Sequence, residues 1–254
     1  MIATIVALLA SLIGAISGIG GGVIIKPLLD LSGNYSTAAI SILSSATVFS
    51  MSLSSVMKHI NLKTPINKKL STWIALGSVL GGILGQNILT FIMEQSTLPI
   101  KQIQNLILMI LLILVLLYMN KLKYKYHWNF TNPLLFFVVG LVFGMVATFV
   151  GIGGGPINLV ALTMFFSMGP KEASVTSIIM ILFSQSSKLI QVGLAGDFMK
   201  YDLSILLFMI PAAIVGGLLG AKLNRKFTDK QIHLLFNVVM VFIIFTTCIN
   251  LFAK

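Results

Sequence analysis

The order of apolar and polar residues divides the chain into long hydrophobic runs joined by short polar turns. A helix that crosses a bilayer needs about 20 mostly apolar residues. Six runs meet that length, and each predicts a membrane-spanning helix. They cover residues 37–57, 70–92, 103–119, 173–192, 203–223 and 232–252.

Two further apolar regions, residues 2–31 and 134–168, are interrupted by the same five residues, Gly-Ile-Gly-Gly-Gly. The first copy begins at Gly18 and the second at Gly151. Four glycines in five residues should end a helix, and the flanking pieces of about 9 to 18 residues are short for a span. The pattern therefore predicts a re-entrant hairpin or a broken helix in each region. In hydrocarbon, such a break must be buried in protein or line a polar cavity.

The two halves of the chain match beyond the glycine clusters. Phe49 and Ser50 align with Phe183 and Ser184, and residues 81–85 align with 216–220. The offset drifts from 133 to 135 along the chain, as a duplication with small insertions would leave it. We therefore interpret residues 1–254 as a single membrane domain. It consists of a first repeat at 1–120, a basic connecting loop at 121–132 and a second repeat at 133–254.

Composition places the chain among membrane proteins. Its mean hydropathy is +1.03, 57% of its residues are hydrophobic and 9% are charged. Soluble domains carry about 25% charged residues. The predicted fold class is therefore an all-α membrane protein with about eight apolar segments in two homologous halves. The single cysteine, Cys248, excludes an internal disulfide and a cysteine metal site.

The net charge of +11 is concentrated in three short loops. Cytoplasmic loops are rich in Lys and Arg, so we expect these loops on the cytoplasmic side, with no role in nucleic-acid binding. All three loops can lie on that side only if each glycine-broken region enters the membrane and returns to the side from which it came. The two halves would then have inverted orientations, and both termini would lie outside the cell. The loops carry Lys58, Lys63, Lys68 and Lys69; Lys121, Lys123 and Lys125; and Lys222, Arg225, Lys226 and Lys230.

The glycines allow two interpretations. Small residues let membrane helices pack closely, whereas free N–H groups at the start of a short helix can bind an anion. For the two clusters, which lie at breaks, we favour anion binding. The predicted substrate-binding glycines are Gly18, Gly20, Gly21, Gly22, Gly151, Gly153, Gly154 and Gly155. Close packing is the better interpretation for Gly77, Gly81, Gly85, Gly216 and Gly220, which lie in unbroken runs.

Hydroxyl side chains are dense after each broken region, and we expect them to line a wet path. Lys188 lies deep in its apolar run, and Lys26 follows the first glycine cluster with Asp30 nearby. Ionisable residues at depth are usually functional, although a long side chain can also reach back to the interface. The predicted binding side chains are Lys26, Ser44, Ser50, Thr176, Ser177, Ser184, Gln185 and Lys188.

The acidic residues all lie near the ends of apolar segments: Asp30, Glu94, Glu172, Asp197, Asp202 and Asp229. Cation pathways and proton relays need buried carboxylates, so a small anion is the better candidate substrate. The histidines His59, His127 and His233 are scattered, and no serine-hydrolase elbow is present. We therefore expect no catalytic residues, no metal site and no cofactor.

These motifs together resemble the sulfite exporter TauE/SafE family. The matching stretches are Gly-Ile-Gly-Gly-Gly-Pro at 151–156, the small residues at 140–147 before it, and Gly-Gly-Leu-Leu-Gly-Ala-Lys-Leu at 216–223. The resemblance covers essentially the whole chain and implies a multi-pass inner-membrane permease for sulfite, thiosulfate or organosulfonates. The chain departs from the family pattern at 23–28, where Lys26 is inserted at depth, and keeps the pattern of the following segment only in part at 39–43 and 173–177.

We therefore expect a cell-membrane transporter that moves a small anion, such as sulfite or an organosulfonate, by alternating access. Its expected partners are that anion and the lipid bilayer, with a homo-oligomer left open. A non-transporting membrane scaffold and a transporter of another solute, such as a metal cation, are the alternatives. Helical hydrogen bonding that ran unbroken through Gly20 and Gly153 would favour the scaffold.

Overall fold

The computed structural model describes residues 2–95, 100–122 and 128–252. Within these ranges the secondary structure is helical, apart from an isolated bridge between Asn129 and Phe166. The six predicted spans are confirmed as long helices. They are α3 (Thr37–Asn61), α4 (Lys68–Gln95), α5 (Ile100–Leu117), α8 (Pro170–Leu194), α9 (Leu206–Lys226) and α10 (Asp229–Phe252).

The remaining four helices flank the two glycine clusters. They are α1 (Ile2–Ser17), α2 (Gly22–Ser32), α6 (Pro133–Val150) and α7 (Gly155–Phe166). At 18 residues, α6 is long and apolar enough to cross a membrane, although the sequence pattern grouped it with pieces that are short for a span. Seven of the described helices meet that criterion, and the chain is a multi-pass membrane protein.

The helix breaks arise from glycine's access to left-handed backbone conformations. Gly18 and Gly20 have φ of 77° and 75°, and Gly151 and Gly153 have φ of 75° and 76°. Residues with a side chain rarely adopt these angles. Helical hydrogen bonding therefore does not continue through either cluster, contrary to what a scaffold of unbroken helices requires.

The glycines of α4 pack this helix closely against α6. A Cβ placed on Gly77 would meet the backbone of Phe137, and one placed on Gly85 would meet the backbone of Met145. The residue numbers of the contacting positions increase together along the two helices, so α4 and α6 run parallel. The predicted packing role of these glycines is confirmed, since only a missing side chain allows so close an approach.

The second half repeats this arrangement with α9 and α1. Gly216 faces the backbone at Leu8, and Gly220 faces Leu12 and Ala15. These two helices also run parallel. The first helix of each half is thus packed against the fourth helix of the other half.

The central pair, α3 and α8, runs antiparallel. Ser41 near the start of α3 bonds Lys188 near the end of α8. At the other end of the pair, Lys63 just after α3 lines the same cavity as Lys171 at the start of α8. Antiparallel packing of α3 and α8 is what the predicted inverted halves require, and the duplication itself stays a prediction.

The basic loops gather at one end of the molecule, which we call the basic end. Lys63, Arg225 and Asp229 line one cavity there, and Asp229 also lines an adjacent cavity with Asn120 and Lys230. Lys123 and Lys125 of the central loop lie outside the described residues, as do His127 and the side chain of Glu94. The opposite end carries the turn at 197–201 and is called the Asp197 end. That the basic end faces the cytoplasm stays a prediction.

Candidate functional site

The two glycine breaks pack directly against each other. A Cβ placed on Gly155 would overlap the backbone of Ile19, and one placed on Gly22 would lie 2.7 Å from the carbonyl oxygen of Ile152. The Ser177 hydroxyl donates a hydrogen bond of 2.7 Å to the carbonyl of Gly18. The breaks therefore form one buried centre shared by both halves.

A cavity of about 210 Å³ enters the molecule from the Asp197 end. Its most buried polar residues are Lys188 and Gln104, which are 1% and 3% exposed. Asp197, Lys200 and Tyr201 lie at its mouth. The full lining consists of Thr37, Ala38, Ser41, Ile42, Gln86, Leu89, Thr90, Gln104, Lys188, Val192, Asp197, Lys200 and Tyr201.

Lys188 presents a charged group at the bottom of this cavity. Its Nζ donates a hydrogen bond of 2.7 Å to the Ser41 hydroxyl, which also lines the cavity. An ammonium group has three N–H donors, and Ser41 is the hydrogen-bond partner that the described part of the chain supplies. The remaining donors can therefore serve a molecule that enters the cavity.

Lys26 lies near Lys188 but is held in a different way. Its Nζ donates to the Gln104 Oε1 at 2.7 Å and to the Val150 carbonyl at 2.5 Å. The Gln104 amide in turn donates to the Phe149 carbonyl at 2.7 Å. These carbonyls end α6, where the helix dipole favours a cation. Lys26 and Gln104 therefore cap α6 from the first half of the chain.

The two lysines flank the second glycine break. The Cβ position of Gly151 is 3.2 Å from the Lys26 Nζ and 3.6 Å from the Ser41 hydroxyl that Lys188 bonds. Asp30, one helical turn after Lys26, is also buried, at 4% exposed. The region thus combines two cations with one carboxylate.

Of the residues predicted from the sequence to bind substrate, Lys188 alone lines this cavity. Ser184 and Ser50 donate to carbonyls of their own helices, at Ile181 and Ala46. Ser44 and Thr176 are buried elsewhere on α3 and α8. Gln185 is buried beside Gly153, and its amide nitrogen has no hydrogen-bond partner among the described residues. The predicted glycines lie in the two packed breaks.

Sequence reasoning missed Gln104 and gave Asp30 the wrong environment. Gln104 lies in the first turns of α5, and the adjacent polar pair Gln104–Asn105 in an apolar run was the available signal. Asp30 was expected near the end of an apolar segment and not among the buried carboxylates, but α2 is a short helix packed inside the fold, so Asp30 is buried. Among the described residues, no three His, Cys, Asp or Glu side chains are placed to hold a metal ion.

Comparison with known proteins identifies the family. A sequence model described as Sulfite exporter TauE/SafE matches residues 3–247. The chain belongs to the sulfite exporter TauE/SafE family. The resemblance seen in its glycine motifs is therefore confirmed, and this TauE/SafE protein is a membrane transporter by family.

A similar curated protein is the "Probable membrane transporter protein YunE" of Bacillus subtilis (strain 168). It is 26% identical to the TauE/SafE chain over 272 residues, covering 96% of this chain and 95% of that protein. No solved structure matches the chain.

Proposed function

We propose that this TauE/SafE protein is a secondary transporter that moves a small sulfur-containing anion, such as sulfite or an organosulfonate, across the cell membrane by alternating access. The observation that carries the proposal is the position of Lys188. It places a buried positive charge at the bottom of a cavity that also offers the Ser41 hydroxyl and the Gln104 side chain.

The charge balance of the region favours an anion. Two buried lysines, Lys26 and Lys188, lie in this region with one buried carboxylate, Asp30 of α2, and burying an excess charge is costly unless a counter-charge offsets it. Among the residues that line the cavity the one carboxylate is Asp197, which pairs with Lys200 at 2.7 Å near the mouth. A bound anion would supply the missing negative charge. A metal cation would meet two lysines, which argues against the cation alternative.

A second cavity supports alternating access. It opens at the basic end, measures about 910 Å³ and is lined by residues that include Lys63, Lys171 and Arg225. It is built from the start of α8, the loop after α3 and the end of α9. The Asp197-end cavity is built from the start of α3, the turn after α8 and the end of α4. The halves thus contribute the same elements with their roles exchanged, as inverted-repeat transporters do.

In this proposal the glycine breaks separate the two cavities. Their packed centre lies beneath Ser41, beside Gly151. The N–H groups of the glycine clusters would meet the anion as it passes from one cavity towards the other. A scaffold would have no need of the buried Lys188, whose burial is costly without a function.

The test is uptake of radiolabelled sulfite and of a small organosulfonate into proteoliposomes. Lys188→Gln should reduce flux at low substrate concentration by about tenfold or more, the effect of losing about 1.4 kcal/mol of binding. Lys200→Gln is the matched control, since that lysine is exposed at the mouth, and it should stay within about twofold of wild type. Equal flux in both variants would reject the Lys188 site. Absence of flux for every tested anion in the wild-type protein would reject the function.

A further inference from the structure

At the basic end, Asn224 joins three helices in a buried hydrogen-bonded cluster. Its Nδ2 donates to the Ile16 carbonyl at 2.6 Å and to the Ser174 hydroxyl at 2.7 Å. Ile16 lies in the last turn of α1, Ser174 in the first turns of α8 and Asn224 near the end of α9. Asn224 is 1% exposed. These bonds therefore close the basic end between the two halves.

Nearby bonds close the same end at its surface. The Lys171 Nζ donates to the carbonyls of Arg225 and Phe227 at 2.6 and 3.1 Å. The Arg225 guanidinium donates to the Leu62 carbonyl at 2.9 Å. The loop after α3, the start of α8 and the end of α9 are thus held together. The cavity at this end accordingly stops short of Lys188, Ser41 and Gln104, which are absent from its lining.

The corresponding position of the first half lacks an amide. At the offset of 135 that aligns Gly85 with Gly220, Asn224 aligns with Leu89. Leu89 lines the cavity that is open at the Asp197 end. A leucine side chain cannot donate to a carbonyl or a hydroxyl. The cavity that reaches Lys188 therefore lies at the end where the repeat carries leucine, and the cavity that stops short of Lys188 lies at the end where it carries asparagine.

We propose that Asn224 is a gate residue of the transport cycle. Its two hydrogen bonds hold the basic end closed while the substrate cavity is open at the Asp197 end. Opening the basic end moves the end of α9 away from both α1 and α8, and so breaks both bonds. The proposal rests on the alternating access proposed above, since a gate has a role only if the cavity opens at each end in turn.

Opening the basic end costs free energy, and this cost sets the population of the state that is open at that end. In the closed state the Asn224 amide and the Ile16 carbonyl are buried and paired, and separating them leaves polar groups to be satisfied by water. Asn224→Leu removes the amide with little change in side-chain volume. The variant should therefore populate the state open at the basic end at least about fivefold more than wild type, the change expected from losing two buried hydrogen bonds.

Cysteine accessibility measures this shift without substrate. The single native cysteine is first removed by Cys248→Ser, and reporters are added singly as Val175→Cys in the basic-end cavity and Ile42→Cys in the Asp197-end cavity. Both positions are 4% exposed. A hydrophilic maleimide is applied to the protein in detergent. Asn224→Leu should speed labelling at Val175→Cys at least about fivefold and slow it at Ile42→Cys.

The matched control is Asn87→Leu, which removes an exposed asparagine from α4 and should leave both labelling rates unchanged. Ser174→Ala removes one of the two bonds at little cost in packing, and it should give a smaller shift in the same direction. It also serves as the test if Asn224→Leu fails to fold. Unchanged labelling in the folded variants would overturn the gate. If flux through the wild-type protein were retained at the same time, the proposed transport function would still stand.

Discussion

The two glycine-centred hairpins, α1–α2 and α6–α7, have a similar helix–break–helix architecture but differ in their buried polar side chains. Each breaks at glycines with left-handed φ, and each is packed against the other's break. In the first hairpin α2 carries Lys26 and Asp30. At the offset of 133 that aligns the clusters, α7 carries Leu159 and Thr163 in their places. The difference teaches that a similar glycine motif gives a similar break in both hairpins, while the buried charge belongs to one of them.

The ends of the two first helices show the same asymmetry. Lys26 and Gln104 of the first half cap the carbonyls of Val150 and Phe149 at the end of α6. Asn224 of the second half caps the equivalent carbonyl of Ile16 in α1. Polar side chains of each half therefore cap the C-terminal end of a helix in the other half. The cap at the Asp197 end includes a lysine and lies beside the cavity, whereas the cap at the basic end is a neutral, buried amide.

The largest expected difference between the hairpins concerns their packing at the breaks. In Gly155→Ala the new Cβ would overlap the backbone of Ile19, which has little freedom to move. In Gly22→Ala it would lie 2.7 Å from the Ile152 carbonyl. We expect Gly155→Ala to abolish accumulation of folded protein and Gly22→Ala to reduce it. The measurement is the monodisperse fraction on size-exclusion chromatography in detergent.

The control for this pair is Gly33→Ala at the end of α2. Gly33 has φ of 66°, and a Cβ there would meet nothing within 4 Å. The substitution should therefore introduce left-handed strain alone, about 1–2 kcal/mol. If Gly155→Ala folded as well as Gly33→Ala, the close contact between the breaks would be wrong.

A smaller effect on stability is expected from removing the Lys26 charge, which α2 carries and α7 lacks. Lys26→Met leaves the buried Val150 carbonyl and the Gln104 oxygen without their donor, at a cost of about 2–4 kcal/mol. Leu159→Met, at the equivalent position of α7, conserves volume and polarity and should cost less than about 1.5 kcal/mol. Thermal unfolding in detergent measures both. Equal unfolding temperatures for the two variants would contradict a structural role for Lys26.

The smallest effect tests the contact between the two breaks. Ser177→Ala removes the hydroxyl that donates to Gly18 in the other half, and should cost about 1 kcal/mol. Ser186→Ala removes a hydroxyl of the same helix that donates to its own Leu182 carbonyl at 2.6 Å, and should cost less than about 0.5 kcal/mol. The unfolding temperatures should fall in that order. The reverse order would show that Ser177 does not join the halves.

Much of the architecture could be predicted from the sequence because the relevant signals are local. The hydrophobic runs have the length of a bilayer, and a Gly-Ile-Gly-Gly-Gly cluster cannot continue a helix without cost. The same clusters, with the match at 216–223, led to the correct family. The spacing of Gly77, Gly81 and Gly85 predicted a packing face, and the structure supplied its partner, α6.

The candidate site was harder to predict because its parts are far apart in the chain. The bond from Lys188 to Ser41 spans 147 residues, and the bond from Lys26 to Gln104 spans 78. Inside a membrane protein, hydroxyls on neighbouring turns can face a cavity or satisfy a carbonyl of their own helix. Ser41 lines the cavity, whereas Ser50 donates to the Ala46 carbonyl of its own helix, although both lie on α3.

The sequence by itself determined the membrane class, the place of each break and the family. These follow from hydrophobic length and glycine's backbone freedom, which act over a few residues. Only the tertiary structure decided that Lys188 lines a cavity while Lys26 caps α6, and that Asn224 and Leu89 lie at opposite ends of the molecule. Those outcomes depend on which helices pack together, because burial and hydrogen bonding of a polar side chain are set by its neighbours in space.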